Sequence, residues 1–336
     1  MLAKLKWPTA ILSLTLLAAC QDAPPALTGT EAAPLPASWS LTDAATGAEI
    51  ELRRPRVDVT DWTDESTTIP VHLVTPEAAR NIGPGSAIII TIPDEGRFGC
   101  TANFVWSQGT NRYLGAAGHC FLPADKKATH GAGADYDASG VTVQVCVEGC
   151  EGNFRTAQLV GTLVTLGKVA YARQTNATGD EDVGNDFGVV EIPAEAAALI
   201  RPAMPVWGGP KGIDVLEQGD FGCHYGNGLV VGEAFPTKAR VGVGGGGDKD
   251  FWMGDFAGAF GDSGSGLVSC ISDLLGFHGE GAVGVLTHLG LSVCPCDVKF
   301  KHLRVKAEHG VVFGTTVRRA KQMAGEAGLT LAVVEP

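Results

Sequence analysis

Short runs rich in Val, Ile and aromatic residues recur between Gly, Pro and Asn/Asp punctuation: Ala87 to Ile92, Thr101 to Trp106, Val141 to Val147, Phe187 to Ile192, Leu229 to Phe235, Leu267 to Ile271 and Ala282 to Thr287. Runs of this length and spacing predict the strands of a sandwich or barrel. One segment has the other period. In Thr315 to Ala327, Val317, Ala320 and Ala324 recur at three and four residues, Arg318, Arg319 and Lys321 take the opposite face, and Gly328 follows, which predicts a C-terminal helix. Gly244 to Gly247 has no side chains to pack, so it reads as a mobile surface loop and not as a strand interior. The pattern predicts an all-β body with one helix at its end.

The start of the chain is different in kind. Met1 to Lys6 is basic, and the apolar run Trp7 to Ala19 is shorter than the roughly 20 residues of a spanning helix, so 1–19 reads as a signal peptide. Leu17-Ala18-Ala19-Cys20 resembles the bacterial lipobox, which implies an acylated Cys20 and a lipid bilayer as partner; ordinary secretion with an incidental cysteine is the alternative. Residues 20–45 then hold the lipidated cysteine and a tether with Pro24, Pro25, Pro34 and Pro36, followed by an N-terminal extension over 46–86. Two β domains are expected over 85–204 and 205–336, the second carrying the helix.

Composition narrows the choice of partner. The 336 residues hold 25 Lys and Arg against 37 Asp and Glu, and no basic cluster exceeds the pairs Arg53-Arg54 and Arg318-Arg319. Nothing here would neutralise a run of phosphates, so no nucleic acid is expected. Apart from Cys20 there are eight cysteines, at 100, 120, 146, 150, 223, 270, 294 and 296. An even count in an exported chain reads as a disulfide framework. A zinc site on Cys294 and Cys296 with His302 or His309 has none of the common ligand spacings, so neither metal nor cofactor is expected.

Three segments carry candidate chemistry, in this order: Gly115-Ala116-Ala117-Gly118-His119-Cys120, Asn185-Asp186-Phe187-Gly188-Val189-Val190 and Gly261-Asp262-Ser263-Gly264-Ser265-Gly266. Taken singly, His119 could be a core histidine, Asp186 a turn cap and the serine segment a hairpin. In that order they resemble the His, Asp and Ser motifs of chymotrypsin-like serine peptidases. The likeness covers roughly Ala87 to Ala327. It implies two six-stranded antiparallel β-barrels of the chymotrypsin type and a protein or peptide substrate, while the signal peptide and lipobox-like end imply an envelope location, with shedding to the extracellular space as a variant.

Under this resemblance Ser263 is the nucleophile and His119 the base that takes its proton, an imidazole being suited to that task near neutral pH. Asp186 fixes the tautomer and stabilises the imidazolium. The N–H groups of Gly261 and Ser263 form the oxyanion hole. Asp180 and Asp182 are rival acids, less directly followed by an apolar strand. The family's disulfides imply Cys100–Cys120 and Cys223–Cys270.

The chain departs from the family in places. Ala259 stands where a cysteine is usual, no Ile-Val-Gly-Gly-like sequence precedes Ala87, and Asp262 needs a cationic partner that the sequence does not name. The pocket floor falls at Ala257, with Thr287 and His288 on the wall. A neutral floor disfavours Lys and Arg and favours small or apolar residues; His288 turned to solvent is the plainer placement, and His288 binding an acidic side chain the alternative. A catalytically silent relative that binds a protein partner through the same cleft is the rival function.

Overall fold

The computed structural model describes residues 38–43, 49–53, 82–123, 140–153, 158–174, 184–228, 238–258, 261–273, 276–289, 298–300, 303–305 and 309–336. The segments expected to be a signal peptide and a tether, with Cys20, most of the expected N-terminal extension, and the expected strand Leu229 to Phe235 lie outside them, apart from the strand residues given below. Strands β1 (Ser38–Asp43) and β2 (Glu49–Arg53) pair with each other.

The N-terminal half is built from β3 (Ala87–Ile92), β4 (Gly96–Thr101), β5 (Val105–Gln108), β6 (Asn111–Ala116), β7 (Thr142–Asn153), β8 (Gln158–Thr165), β9 (Val169–Gln174) and β10 (Asp186–Ile192). They form two antiparallel sheets, in the orders β4-β3-β7-β8 and β5-β6-β10-β9, not one closed ring among the described residues. The chain changes sheet at Ala102–Phe104, inside the run that reads as one strand. There the Asn103 side chain accepts from the N–H of Phe104 at 2.7 Å and from Trp106 Nε1 at 2.9 Å. A local side-chain acceptor of this kind competes with the strand ladder.

The C-terminal half closes. Strands β11 (Phe221–Tyr225), β12 (Ala239–Gly247), β13 (Phe251–Ala257), β14 (Gly266–Asp273) and β15 (Gly276–Leu289) come first, and β16 (Val298–Phe300) and β17 (Leu303–Val305) follow as a short excursion onto β1. With β18 (His309–Thr316) they give a barrel in the order β11-β12-β13-β18-β15-β14. Gly244 to Gly247 is not a free loop: Gly244, Gly246 and Gly247 pair with Gly254, Met253 and Trp252 across a bulge. A Cβ on Gly244 would sit 2.4 Å from the Glu217 carbonyl, and Gly246 has φ 98°, so this end of the strand requires glycine for close approach and for backbone shape.

Helix α1 (Val317–Glu326) begins where expected, because the Thr316 hydroxyl accepts from the N–H of Arg319 at 3.1 Å and caps it. Past its C-cap, Ala327, Gly328 takes φ 85° and turns the chain away. The chain then returns to the first half, where β19 (Ala332–Val333) pairs with β5. Val317, Ala320, Met323 and Ala324 join one apolar core with Phe104, Trp106, Tyr171 and Phe187 of the first half and Val268 and Val285 of the second. A second cluster of Leu216, Trp252, Phe256, Leu267, Val283, Leu286 and Val312 fills the barrel. No helix among the described residues is long and apolar enough to cross a membrane.

Candidate active site

Strand pairing carries His119 to Asp186. In the β6–β10 ladder Ala116 lies opposite Gly188, so two residues further along β6 the chain comes level with the start of β10, at Asp186. There β6 gives way to a single 3-10 turn, Gly118–Cys120, that holds His119. The close approach needs Gly118, where a Cβ would sit 2.0 Å from the Arg173 carbonyl. One carboxylate then grips His119 twice: Asp186 Oδ1 accepts from its backbone N–H at 3.0 Å and Oδ2 lies 2.6 Å from Nδ1. Both residues are buried, at 5% and 1% exposure.

Burial alone would raise the Asp186 carboxyl. The charge and hydrogen bonds of His119 outweigh it, with the charge of His288 adding to them, and hold the group below the usual carboxylate value. From behind, the Thr315 hydroxyl accepts from the Asp186 N–H at 3.1 Å and donates to its carbonyl at 2.9 Å. Asp180 and Asp182, the rival acids, lie outside the described residues.

Ser263 comes from the other half, on the turn that leads into β14. Gly261 and Gly264 have φ 94° and 90°, a backbone that side chains rarely adopt. The turn is docked against the first half: the Ser263 carbonyl accepts from the Thr101 N–H at 2.9 Å and lies 4.0 Å from Cys120 Sγ, beside His119. The Gly261 carbonyl accepts from Thr101 Oγ1 at 2.7 Å. The Ser263 residue is 2% exposed. The three candidate residues are therefore drawn to one seam between the halves, His119 and Asp186 from one side and Ser263 from the other.

Cys100 is bonded to Cys120 and Cys223 to Cys270, as the resemblance implies. The first bridge ties β4 to the turn that carries His119. The ligand atoms of Cys100, His119 and Cys120 gather within 4.8 Å, but both sulfurs are spent in the bridge, so the group is not a metal set. Cys146 is also disulfide-bonded. Cys294, Cys296 and the side chain of Cys150 lie outside the described residues.

Asp262 has the partner that the sequence does not name. It is fully buried; Arg240 of β12 pairs with one carboxylate oxygen, and the Gly228 N–H donates to the other at 2.7 Å. Arg240 stands alone between Ala239 and Val241, with no motif around it, and only closure of the barrel brings it to the serine turn. Thr101 and Thr315 were equally silent in sequence, each near the end of a strand with no motif that marks it. His288 is not turned to solvent: it is 2% exposed and its Nδ1 lies 2.7 Å from Thr287 Oγ1, itself buried. Ala257 ends β13 opposite His309, and its side chain lies outside the described residues. Next to it the Phe256 ring is buried edge-on between His224 and Trp252, at 5.9 Å from each.

No protein-family model matches the chain. No curated protein matches it either. Among solved structures it is similar to protease A of Thermobifida fusca, at 15% identity and TM-score 0.41, covering 75% of this chain and 99% of that one. A glutamic-acid-specific serine protease described as using a histidine triad in substrate binding is similar at 16% identity and TM-score 0.41, with 75% and 99% covered. A thermostable serine protease from an extremophilic microorganism follows at 13% identity and TM-score 0.42, with 73% and 97% covered.

Proposed function

We propose that this chain is a serine endopeptidase that hydrolyses peptide bonds through Ser263, His119 and Asp186 and an acyl-enzyme intermediate. The observation that carries this is the double grip of Asp186 on the backbone and ring of His119, 2.6 Å at Nδ1, at the seam where the Gly261–Gly264 turn presents Ser263. A carboxylate bound to Nδ1 keeps the proton there and leaves Nε2 to accept one.

In the proposed reaction Ser263 Oγ attacks the peptide carbonyl while its proton passes to His119. The oxyanion takes hydrogen bonds from the N–H groups of Gly261 and Ser263. The C–N bond then breaks and the amine leaves with the proton held on His119. Water, deprotonated by the same imidazole, attacks the ester, and Ser263 recovers its proton as the acid departs. Arg240 neutralises Asp262 within the chain, which supports a serine turn that is shaped without a newly cut N-terminus. The disulfides support export to an oxidising compartment, and Cys20 supplies the bilayer anchor at the envelope.

The test is a serine-directed phosphonate on the purified protein. It should label one peptide, at Ser263, and His119→Ala should abolish the labelling. Loss of base or nucleophile should cost a factor of about 10⁶ in kcat, so a Ser263→Ala variant with near-full activity overturns the proposal. A wild-type chain that takes no label while binding a protein partner would leave the silent relative standing.

A further inference from the structure

The strongest motif left over from the reaction is the basic pair on α1, and half of it does not face solvent. Only 12% of the Arg319 side chain is exposed, and its guanidinium turns back to the first half, where Nε donates to Asn185 Oδ1 at 2.8 Å and Nη2 donates to the same oxygen. Asn185 is buried at 5% exposure and immediately precedes Asp186. Resting on the triad proposed above, we infer that Arg319 is a positioning residue for the reaction: it clamps Asn185, and through it the backbone from which Asp186 holds His119.

The clamp is over-determined at both ends. The backbone of Arg319 is fixed by the Thr316 cap at 3.1 Å, and Thr316 in turn donates to the Lys249 carbonyl at 2.7 Å. The far side of the guanidinium meets Glu326 at 3.6 Å, and Glu326 also takes Arg173 of β9 at 2.9 Å. Asp186 itself is pinned by Thr315, the residue before the cap. One short stretch, Thr315 to Arg319, thus holds two successive residues of the β10 start, more than 120 positions earlier in the chain. A strand terminus with no such hold would fray, and the carboxylate would lose the alignment by which it grips the backbone N–H and Nδ1 of His119. Arginine is required for this hold because two N–H groups fork onto one oxygen, which a lysine ammonium on a flexible stem does not reproduce.

The experiment compares full-length wild type with Arg319→Ala and Arg319→Lys in two readouts. The first is the inactivation rate with a fluorophosphonate, resolved into the maximal rate and the half-saturating concentration. The second is the downfield proton resonance of the His119 Nδ1–H···Asp186 bond. Misplaced reacting groups cost up to about 10²-fold, so Arg319→Ala should lower the maximal rate by roughly 10- to 100-fold with the half-saturating concentration unchanged, and should broaden or shift the resonance. Arg319→Lys should not rescue either readout, and it carries the test alone if the alanine variant fails to fold. An unchanged maximal rate, or an unmoved resonance in a folded variant, overturns the inference. If wild type takes no label the peptidase proposal falls, whereas the resonance still decides whether Arg319 positions Asp186.

Discussion

Arg240 and Asp262 show how much a single pair can decide. Both are buried, at 5% and 0% exposure, and the carboxylate shapes the turn that holds Ser263. Arg240→Ala removes the cation from a buried ion pair, which costs about 3–5 kcal/mol, so the variant should lose stability in urea by that order and lose phosphonate labelling with it. A loss of stability without loss of labelling would separate Asp262 from the serine turn. Of the residues that the sequence assigns to a specificity pocket, Thr287 and His288 form a buried pair at 2.7 Å, and Ala257 stands at the end of β13. A neutral floor should leave a Lys or Arg side chain without a counter-charge. A peptide-library digest read by mass spectrometry should show cleavage after small or apolar residues; dominant cleavage after Lys or Arg overturns the pocket assignment, and cleavage after Glu that disappears in His288→Ala assigns His288 to an acidic side chain.

At the scale of elements, the β6–β10 ladder and the turn after it do the positioning. Gly118→Ala puts a methyl group 2.0 Å from the Arg173 carbonyl, with no flexible side chain to give way. The turn must move, and the two Asp186 contacts to His119 move with it. Strain and overpacking of this kind cost about 1–3 kcal/mol, and the activity loss should be far larger than that destabilisation implies, which comparison of melting temperature with labelling rate checks. Legibility at this scale was uneven. Ala87 to Ile92 and Phe187 to Ile192 were plain in sequence, since they are strands buried almost throughout. Thr101 to Trp106 was not one strand, because Asn103 turns its side chain onto its own neighbourhood. Gly244 to Gly247 read as a loop because glycine carries no packing signal, although its backbone is held in β12 by β13.

On the scale of the whole molecule, the seam between the halves couples folding to the site. Asp186 lies in it, bound to His119 of one half and to Thr315 of the other. Since its folded value is depressed, this carboxyl contributes stability that is complete above the ordinary carboxylate range and lost as the pH falls through the lowered value. Asp186→Asn should therefore flatten the acid limb of the unfolding curve below about pH 4 and, with the wrong tautomer favoured, cut kcat by about 10⁴ near neutrality. An acid limb identical to wild type would mean that another carboxylate dominates acid unfolding.

By itself the sequence determined the all-β class, the C-terminal helix to within two residues at each end and the three motifs that supply the candidate triad. Each of these is local, written in period, in spacing or in a short string of residues. The tertiary structure alone decided that Arg240 meets Asp262, that Thr315 and Arg319 hold Asp186 and Asn185, and that His288 is buried. A lone arginine or threonine looks the same on a solvent face as in a seam. Its partner is chosen by barrel closure and by the return of α1 onto the first half, contacts between residues far apart in the chain that leave no pattern around either one.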